Sequence, residues 1–593
     1  MAEGTTQHPW LEKYPSYLDW NMDIQTGTLP QLWDEAVARF GNRPFIDFLG
    51  NNLTYAQTDA LVDQAAAGLQ KMGVEKGDRV GLFLPNCIYF PVFYYAICKL
   101  GGIVVNFNPT YPPDQVEKLM EQAGVKVVIT TDLQAVYPNV GPVFEKSRAN
   151  GGSLQQMIIC PFAGSLSGLK SMLFPLLRGK DLVKGISGPG ITPYKEVMSH
   201  GSAYKLADLD PKDVAALQFT GGTTGLPKAA TLTHENIYIN CQQAGRWFPG
   251  ILDGQEKILT VLPLFHVFAM TICMNYMAMR GGEMVMQPNF DKDNAAKAIG
   301  SGATIFAGVP AMFNALANHP DVKSGKIKMD ALKYCVSGGA AMPYEIKKNF
   351  EKVAPCSVTE GYGLSETSPI ATANPVGEEP RLLNDKINSI GLPVPNTIIE
   401  IVDENDSSVL MPMGERGEIA VSGPQVMQGY WARPEASAEC LQNGRFLTGD
   451  IGVMDADGYT YIVDRKKDMI VTNNGFNVYP RDIEEILFGH EAIAECAICG
   501  VPDSKRGEVI LAAVVLHEAG SITADDVMTF LRGKIVDYML PERVEFMDEL
   551  PKSQVGKILK RDIRDIYGAK SGLVFAALHP ITNTSDSDKG PQK

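Results

Sequence analysis

Between residues 55 and 130 the sequence alternates two periodicities, and this alternation restricts the fold more than any other feature. Residues 55–72 carry helical spacing and stop near Gly73. Residues 80–84 form a short apolar run stopped by Pro85-Asn86. A helix near 90–100, a strand at 103–107, a turn at Asn108-Pro109, a helix from about 113 and a strand at 125–130 follow. Strands that are apolar at every position are buried on both faces, and helices between them supply the cover, so this rhythm predicts an α/β domain around a parallel sheet. The most membrane-like run, 89–106, is interrupted by Pro91, Lys99 and Gly101-Gly102, and reads as a buried helix, a turn and a strand. A chain of 593 residues exceeds one core, so several domains are expected.

The chemistry concentrates at Phe219-Thr-Gly-Gly-Thr-Thr-Gly-Leu-Pro-Lys228. Three threonines and three glycines, Thr220, Gly221, Gly222, Thr223, Thr224 and Gly225, are followed by Lys228. Glycines let backbone N–H groups converge on an anion, and hydroxyls and a lysine add donors and charge. A strand at 214–219 leads in, and a helix capped by Thr233 is expected to lead out. The spacing is not that of a Walker A loop. On its own the stretch reads either as a phosphate cradle or as a surface loop.

Further along, His266 stands among apolar residues, where a satisfied core histidine is the ordinary reading. A strand at 333–337 ends in Ser337-Gly338-Gly339-Ala340-Ala341, small enough for a ligand to lie against the backbone. A strand at 357–359 delivers Glu360-Gly361-Tyr362-Gly363-Leu364-Ser365-Glu366. Tyr362 between glycines offers a ring face to a base, and Ser365 and Glu366 offer hard oxygens of the kind Mg2+ takes. The alternative is a turn with a capping serine. From 389 to about 465 the pattern is β-rich, and Thr448-Gly449-Asp450 within it reads as an Asx turn or as a carboxylate for a ribose diol. The charged run Asp464-Arg465-Lys466-Lys467-Asp468 suits a hinge. Beyond it a small α+β domain carries a helix at 481–488, strands at 494–501 and 509–516, and a helix at 525–536. It ends at Gly556-Lys557, and the polar residues 572–593 are expected to be a disordered tail. Cys496 and Cys499 fall on one buried strand, where positions three apart face opposite sides.

Taken together and in this order, these motifs resemble the AMP-forming acyl-CoA synthetases of the adenylate-forming superfamily, over residues 53–564. Two further runs, Gly423-Pro-Gln-Val-Met-Gln-Gly-Tyr-Trp431 and Gly475-Phe-Asn-Val-Tyr-Pro480, are similar to the long-chain fatty acid CoA ligase branch. The resemblance implies an α/β fold: a large N-terminal domain, 1–465, of mixed and parallel sheets flanked by helices, with a β-rich subdomain at 389–465. A small mobile α+β domain, 466–571, follows, with a hinge at Lys467. It implies a fatty acid, ATP and coenzyme A as substrates, with Mg2+. Glu366 and Thr224 would hold the metal, and Thr220, Thr223, Thr224 and Lys228 the departing pyrophosphate. Gly221, Gly222, Gly225, Gly338, Gly339, Ala340, Glu360, Gly361, Gly363 and Ser365 would complete the nucleotide site. Tyr362 would stack on adenine, and Asp450 and Arg465 would hold the ribose. His266 would gate the acyl pocket, Lys557 would reach the reacting carboxylate and α-phosphate, and Gly475 and Phe476 would contact coenzyme A. Ala229 and Ser365 depart from the usual glycine and threonine, and the turn at 472–475 is a residue longer than is common.

A formal net charge of −15 argues against a nucleic-acid partner. The start of the chain has no basic, then apolar, leader pattern, so a cytoplasmic protein is expected, as a monomer or homodimer. Residues 166–184, apolar and then basic, read either as a solvated insertion or as a peripheral contact with the inner face of a membrane. Competing functions are activation of a medium-chain or aryl acid, loading of a carrier protein, oxygenase chemistry on the same fold, and a nucleotide-binding regulator. The segment 265–270 has no Asp for a substrate amine.

Overall fold

The apolar runs become strands because only a sheet covered on both faces satisfies their backbone while keeping every side chain dry. Arg79–Phe83, Ile103–Asn106 and Val127–Thr131 are neighbouring parallel strands, as expected from the spacing. The computed structural model describes residues 8–220, 227–377, 386–471, 477–503, 507–553 and 556–569. The chain divides after Lys467: one unit holds the residues up to Lys467 together with Lys552–Lys557, and the other holds Asp468–Pro551 and the residues from Ile558.

Among the described residues the large unit contains an eight-stranded and a nine-stranded sheet, both parallel at the centre, the first antiparallel at one edge and the second at both. The helix Tyr89–Lys99 is buried along its whole length, as a helix apolar on all sides must be. Its terminal Lys99 is buried too, and its amine meets Asp34, Asp59 and Asp63 at 3.0–3.1 Å, which removes the cost of an unpaired charge. A five-stranded antiparallel sheet follows, built on Ile398–Val402, Gly417–Ser422, Arg445–Met454 and Thr460–Arg465.

Three local expectations need correction. The glycine-threonine stretch does not run straight into a helix. Val214–Thr220 and Lys228–Thr233 pair antiparallel, so a strand stands between the stretch and the helix His234–Trp247. Thr233 caps it as expected, accepting from the Asn236 backbone N–H. Second, the strand at 357–359 is longer: Val358–Gly363 runs through the Gly-Tyr-Gly motif and pairs with Ile370–Ala373. Third, Thr448-Gly449-Asp450 is neither a loop nor a terminal turn. It lies inside Arg445–Met454, where Gly449, at φ +73°, makes an irregularity in the pairing.

The smaller unit packs Pro480–Phe488, Ala524–Leu531 and Lys560–Ala569 around the strands Ile493–Asp503, Gly507–Leu516 and Arg543–Phe546. The helix expected to reach 536 stops at Leu531, where Arg532 turns extended and Gly533 takes φ +77°. Cys496 and Cys499 join different hydrophobic clusters on opposite faces of their strand.

Candidate functional site

The candidate residues cluster because most of them leave the carboxyl ends of strands, where open α/β sheets hold their ligands. Thr220 ends Val214–Thr220, Gly338 follows Tyr334–Ser337, and Glu360 to Gly363 are the last residues of Val358–Gly363. Thr220 and Lys228 face each other in the hairpin register, and the Thr220 hydroxyl donates to the Lys228 carbonyl at 3.3 Å. Gly221, Gly222, Thr223, Thr224 and Gly225 lie outside the described residues. Ala229 is buried opposite Phe219 in the hairpin, so its methyl fills core rather than the loop.

Tyr362, Asp450 and Arg465, distant in sequence, meet around one carboxylate. Asp450 Oδ2 accepts from the Tyr362 hydroxyl at 2.6 Å, and Oδ1 pairs with Arg465 Nε at 2.6 Å. Asp450 and Arg465 are also register partners on adjacent strands. Burial, then the Asp450 charge, pushes the Tyr362 phenol well above its usual range, so it stays a donor. Glu418 holds the bulge beside them: Oε1 accepts from the Gly449 N–H at 2.9 Å, and Oε2 pairs with Lys466 at 3.0 Å.

Glu366 is buried in the short helix Ser365–Thr367, and Ser365 beside it is half-buried. Burial raises its carboxyl pKa, and a hydrogen bond from Tyr430 opposes the rise. The Tyr430 hydroxyl donates to Glu366 Oε1 at 2.7 Å, while the amine of Lys228 sits 5.0 Å from the centroid of the same ring. A single buried carboxylate of this kind fits Mg2+, which takes one or two carboxylates and completes its shell with substrate phosphates and water.

The turn at Gly338, Gly339 and Ala340 lies beside Gly361 and Phe268. A Cβ on Gly338 would stand 3.0 Å from the Phe268 ring and 3.4 Å from the Gly361 carbonyl. Gly339 has φ +79°, a conformation that glycine takes without strain. Glu360 Oε1 accepts from the Met342 N–H at 3.2 Å and so closes the turn. His266 Nδ1 accepts from the Phe268 N–H at 3.3 Å. Burial, assisted by the Lys557 charge, lowers its pKa to about 4, so it is neutral near pH 7. Lys557 itself is exposed, on a turn in which Gly556 takes φ +74° and Ser553 Oγ accepts the Lys557 N–H at 3.2 Å.

Lys467 is exposed between two anchored neighbours. Lys466 donates its backbone N–H to Gly449, and Asp468 pairs with Arg564 at 2.9 Å. Gly475 and Phe476 lie outside the described residues.

Sequence reasoning did not mark Tyr430 or Phe268 individually, although both stand in runs it singled out, and missed Glu418 altogether. The signal for Tyr430 was its place in Gln428-Gly429-Tyr430-Trp431, where Gly429–Tyr430 is a short edge strand paired with Lys228–Thr233. Glu418 carries no local signal, because its partner groups are 31 and 48 positions away.

A family model described as AMP-binding enzyme matches residues 33–431, and one described as AMP-binding enzyme C-terminal domain matches 482–557. The chain is 39% identical over 563 residues to a long-chain-fatty-acid–CoA ligase of Bacillus subtilis (strain 168), covering 94% of this chain and 97% of that one. It is 35% identical to a protein of the same name from Escherichia coli O6:H1, covering 94% of this chain and 98% of the other. A solved structure titled Mycobacterium tuberculosis fatty acyl CoA synthetase matches with a TM-score of 0.67 and 28% identity, over 92% of this chain and 99% of that one.

The two glycines around Tyr362 make unequal demands. A Cβ on Gly363 would stand 1.7 Å from the Pro369 carbonyl oxygen, whereas one on Gly361 meets nothing nearer than 3.8 Å. Gly363→Ala is expected to destabilise by about 3 kcal/mol or more through forced backbone movement. Gly361→Ala is expected to cost under about 1 kcal/mol. Chemical denaturation of both variants checks the contrast, and equal costs would contradict it.

Proposed function

The chain belongs to the AMP-binding enzyme family, and we propose that it joins a long-chain fatty acid to coenzyme A at the expense of ATP. The acid carboxylate attacks the α-phosphorus of ATP, giving acyl-adenylate and pyrophosphate. The coenzyme A thiolate then attacks the acyl carbon, and AMP leaves. One observation carries this reading: Tyr362, Asp450, Arg465, Glu366 and Lys228 converge within one unit of a chain that is alike over nearly its full length to fatty acid CoA ligases.

The first half brings two anions together, so positive charge and aligned donors must be supplied. Lys228, Thr220 and the loop Gly221, Gly222, Thr223, Thr224 and Gly225 hold the departing pyrophosphate. Lys557 bonds to the carboxylate and α-phosphate oxygens. Glu366 and Thr224 would hold Mg2+, which when bound neutralises phosphate charge. Tyr362 packs against adenine with Gly338, Gly339, Ala340, Glu360, Gly361 and Gly363, and Asp450 and Arg465 hold the ribose, with Ser365 completing the set. His266, neutral near pH 7, borders the acyl pocket without adding charge. Lys467 is the hinge for the second half, in which Gly475 and Phe476 line the path of coenzyme A.

Pyrophosphate and thioester formation with straight-chain acids from acetate to stearate, and with benzoates, tests the substrate class. Highest kcat/KM is expected at long chains. An optimum at medium-chain or aryl acids, or thioester formed only on a carrier protein, would overturn the long-chain reading. Lys557→Ala is expected to slow acyl-adenylate formation by about 10²–10³-fold. The same variant, given ready-made acyl-adenylate, forms thioester at the wild-type rate. Lys467→Pro is expected to do the reverse, slowing the thioester half alone. Equal losses in both halves for either variant would remove the role given to that residue.

The helix Gly168–Leu177 supports a peripheral membrane contact as part of this reading. None of its residues is buried. Leu169, Met172, Leu173, Leu176 and Leu177 are 37–79% exposed and fall at helical spacing, one stripe. Phe174, off the stripe, packs on Phe162 and fixes which side faces out. Arg178, Lys180 and Lys184, all exposed, follow. An apolar stripe bordered by cations suits an anionic bilayer, where a long-chain acid also partitions. The chain is expected to sediment with phosphatidylglycerol-containing vesicles. The variant Met172→Glu/Leu176→Glu is expected to stay in the supernatant while its activity on a water-soluble acid is unchanged. Co-sedimentation of that variant at the wild-type level would exclude the helix as the contact.

A further inference from the structure

Two charged groups assigned to ATP, Lys228 and Glu366, are 138 positions apart by number, and one aromatic residue touches both. Tyr430 stands on the edge strand Gly429–Tyr430, whose register partner is Ala230, two residues after Lys228. The neighbouring Trp431 N–H donates to the Ala229 carbonyl at 2.8 Å, and the Gln428 N–H donates to the Thr231 carbonyl at 3.1 Å. On the other side, the Met427 N–H donates to the Glu366 backbone carbonyl at 2.8 Å. The Tyr430 backbone N–H is itself held by Ser437 Oγ at 2.8 Å. The strap 427–431 is therefore tied by backbone hydrogen bonds both to the hairpin and to the helix carrying Glu366. Tyr430 then adds a side-chain contact to each: its ring lies under the Lys228 amine at 5.0 Å, and its hydroxyl donates to Glu366 Oε1 at 2.7 Å.

We propose that Tyr430 is a positioning residue that sets the separation of the cation and the carboxylate facing the triphosphate, its ring placing Lys228 and its hydroxyl orienting Glu366. An ammonium over a ring face is held by the ring quadrupole without being neutralised, so Lys228 keeps its full charge for a phosphate oxygen. A carboxylate held in one orientation by a donor meets a cation without a further ordering cost, and removal of such a partner weakens metal affinity by 10–100-fold in metal sites generally. A carboxylate partner for Lys228 would also have fixed it, but would have offset the charge it brings. The aromatic contact explains why the position takes tyrosine: phenylalanine supplies the ring alone, and serine the hydroxyl alone.

The proposal rests on the assignment of Lys228 and Glu366 to ATP and Mg2+, and the test separates the two. ATP is titrated calorimetrically into the full chain, without fatty acid, at a series of Mg2+ concentrations. Glu366→Gln is expected to raise the Mg2+ concentration that half-maximally tightens ATP binding. Tyr430→Phe is expected to raise it about tenfold, with the Mg2+-free ATP affinity unchanged. Tyr430→Leu is expected to add a several-fold loss of the Mg2+-free ATP affinity, because the ring beneath Lys228 is gone. Lys228→Met combined with Tyr430→Leu is expected to lose no more Mg2+-free affinity than Lys228→Met alone. A wild-type Mg2+ response in Tyr430→Phe beside a shifted one in Glu366→Gln overturns the positioning role while leaving the site standing. An unshifted response in Glu366→Gln overturns the metal assignment, and the proposal with it. If Tyr430→Leu does not fold, Tyr430→Phe alone decides the hydroxyl, and Tyr430→Trp, expected to keep the Mg2+-free affinity, decides the ring.

Discussion

The buried carboxylate of Asp450 is the joint on which the site depends. It belongs to the five-stranded antiparallel sheet, and it accepts from Tyr362, which ends a strand of the nine-stranded sheet. Removing a carboxylate from water costs several kcal/mol unless hydrogen bonds and charge replace the water. Here Tyr362 occupies one oxygen and Arg465 the other, so the cost is met only when both sheets are in place. The same geometry sets the orientation of the Tyr362 ring. The candidate site, assembled from two sheets, is therefore tied together by a group that neither sheet can bury alone.

The same logic recurs around it. Glu418 is nearly buried, and it is satisfied by the backbone of the irregular Gly449 and by Lys466. Glu366 is buried under the Tyr430 hydroxyl. Three carboxylates are thus removed from water in one region of a chain with a formal net charge of −15, each with at least one donor. Such groups add little net stability, but leaving any of them unpaired is costly, so they select one arrangement of the strands.

Around Lys467 the physics is reversed. Lys466 is tied by its backbone and its amine within the large unit, and Asp468 by Arg564 within the small one. The residue between them is exposed.

Much of the fold was legible because it depends on local periodicity. The apolar runs at 80–84, 103–107 and 125–130 had to be strands, and the run at 89–100 had to be a buried helix, since no other arrangement removes those side chains from water. Candidate site residues suggested themselves where unusual residue types stand close together, as at Thr220 to Lys228 and Gly361 to Glu366. What failed was register and partnership. The glycine-threonine stretch was read as leading into a helix, because nothing in Lys228–Thr233 says that its mate is the strand just before it. Thr448-Gly449-Asp450 looked like a turn, because a bulge and a turn use the same residues and differ only in the neighbouring strand. The sequence by itself determined which segments are buried, which are helical and which residue types are candidates for the site, because those follow from spacing and composition. Only the tertiary structure decided that Tyr362 and Arg465 share the Asp450 carboxylate, and that Tyr430 stands between Lys228 and Glu366, because long-range partners are chosen by strand register and not by any local pattern.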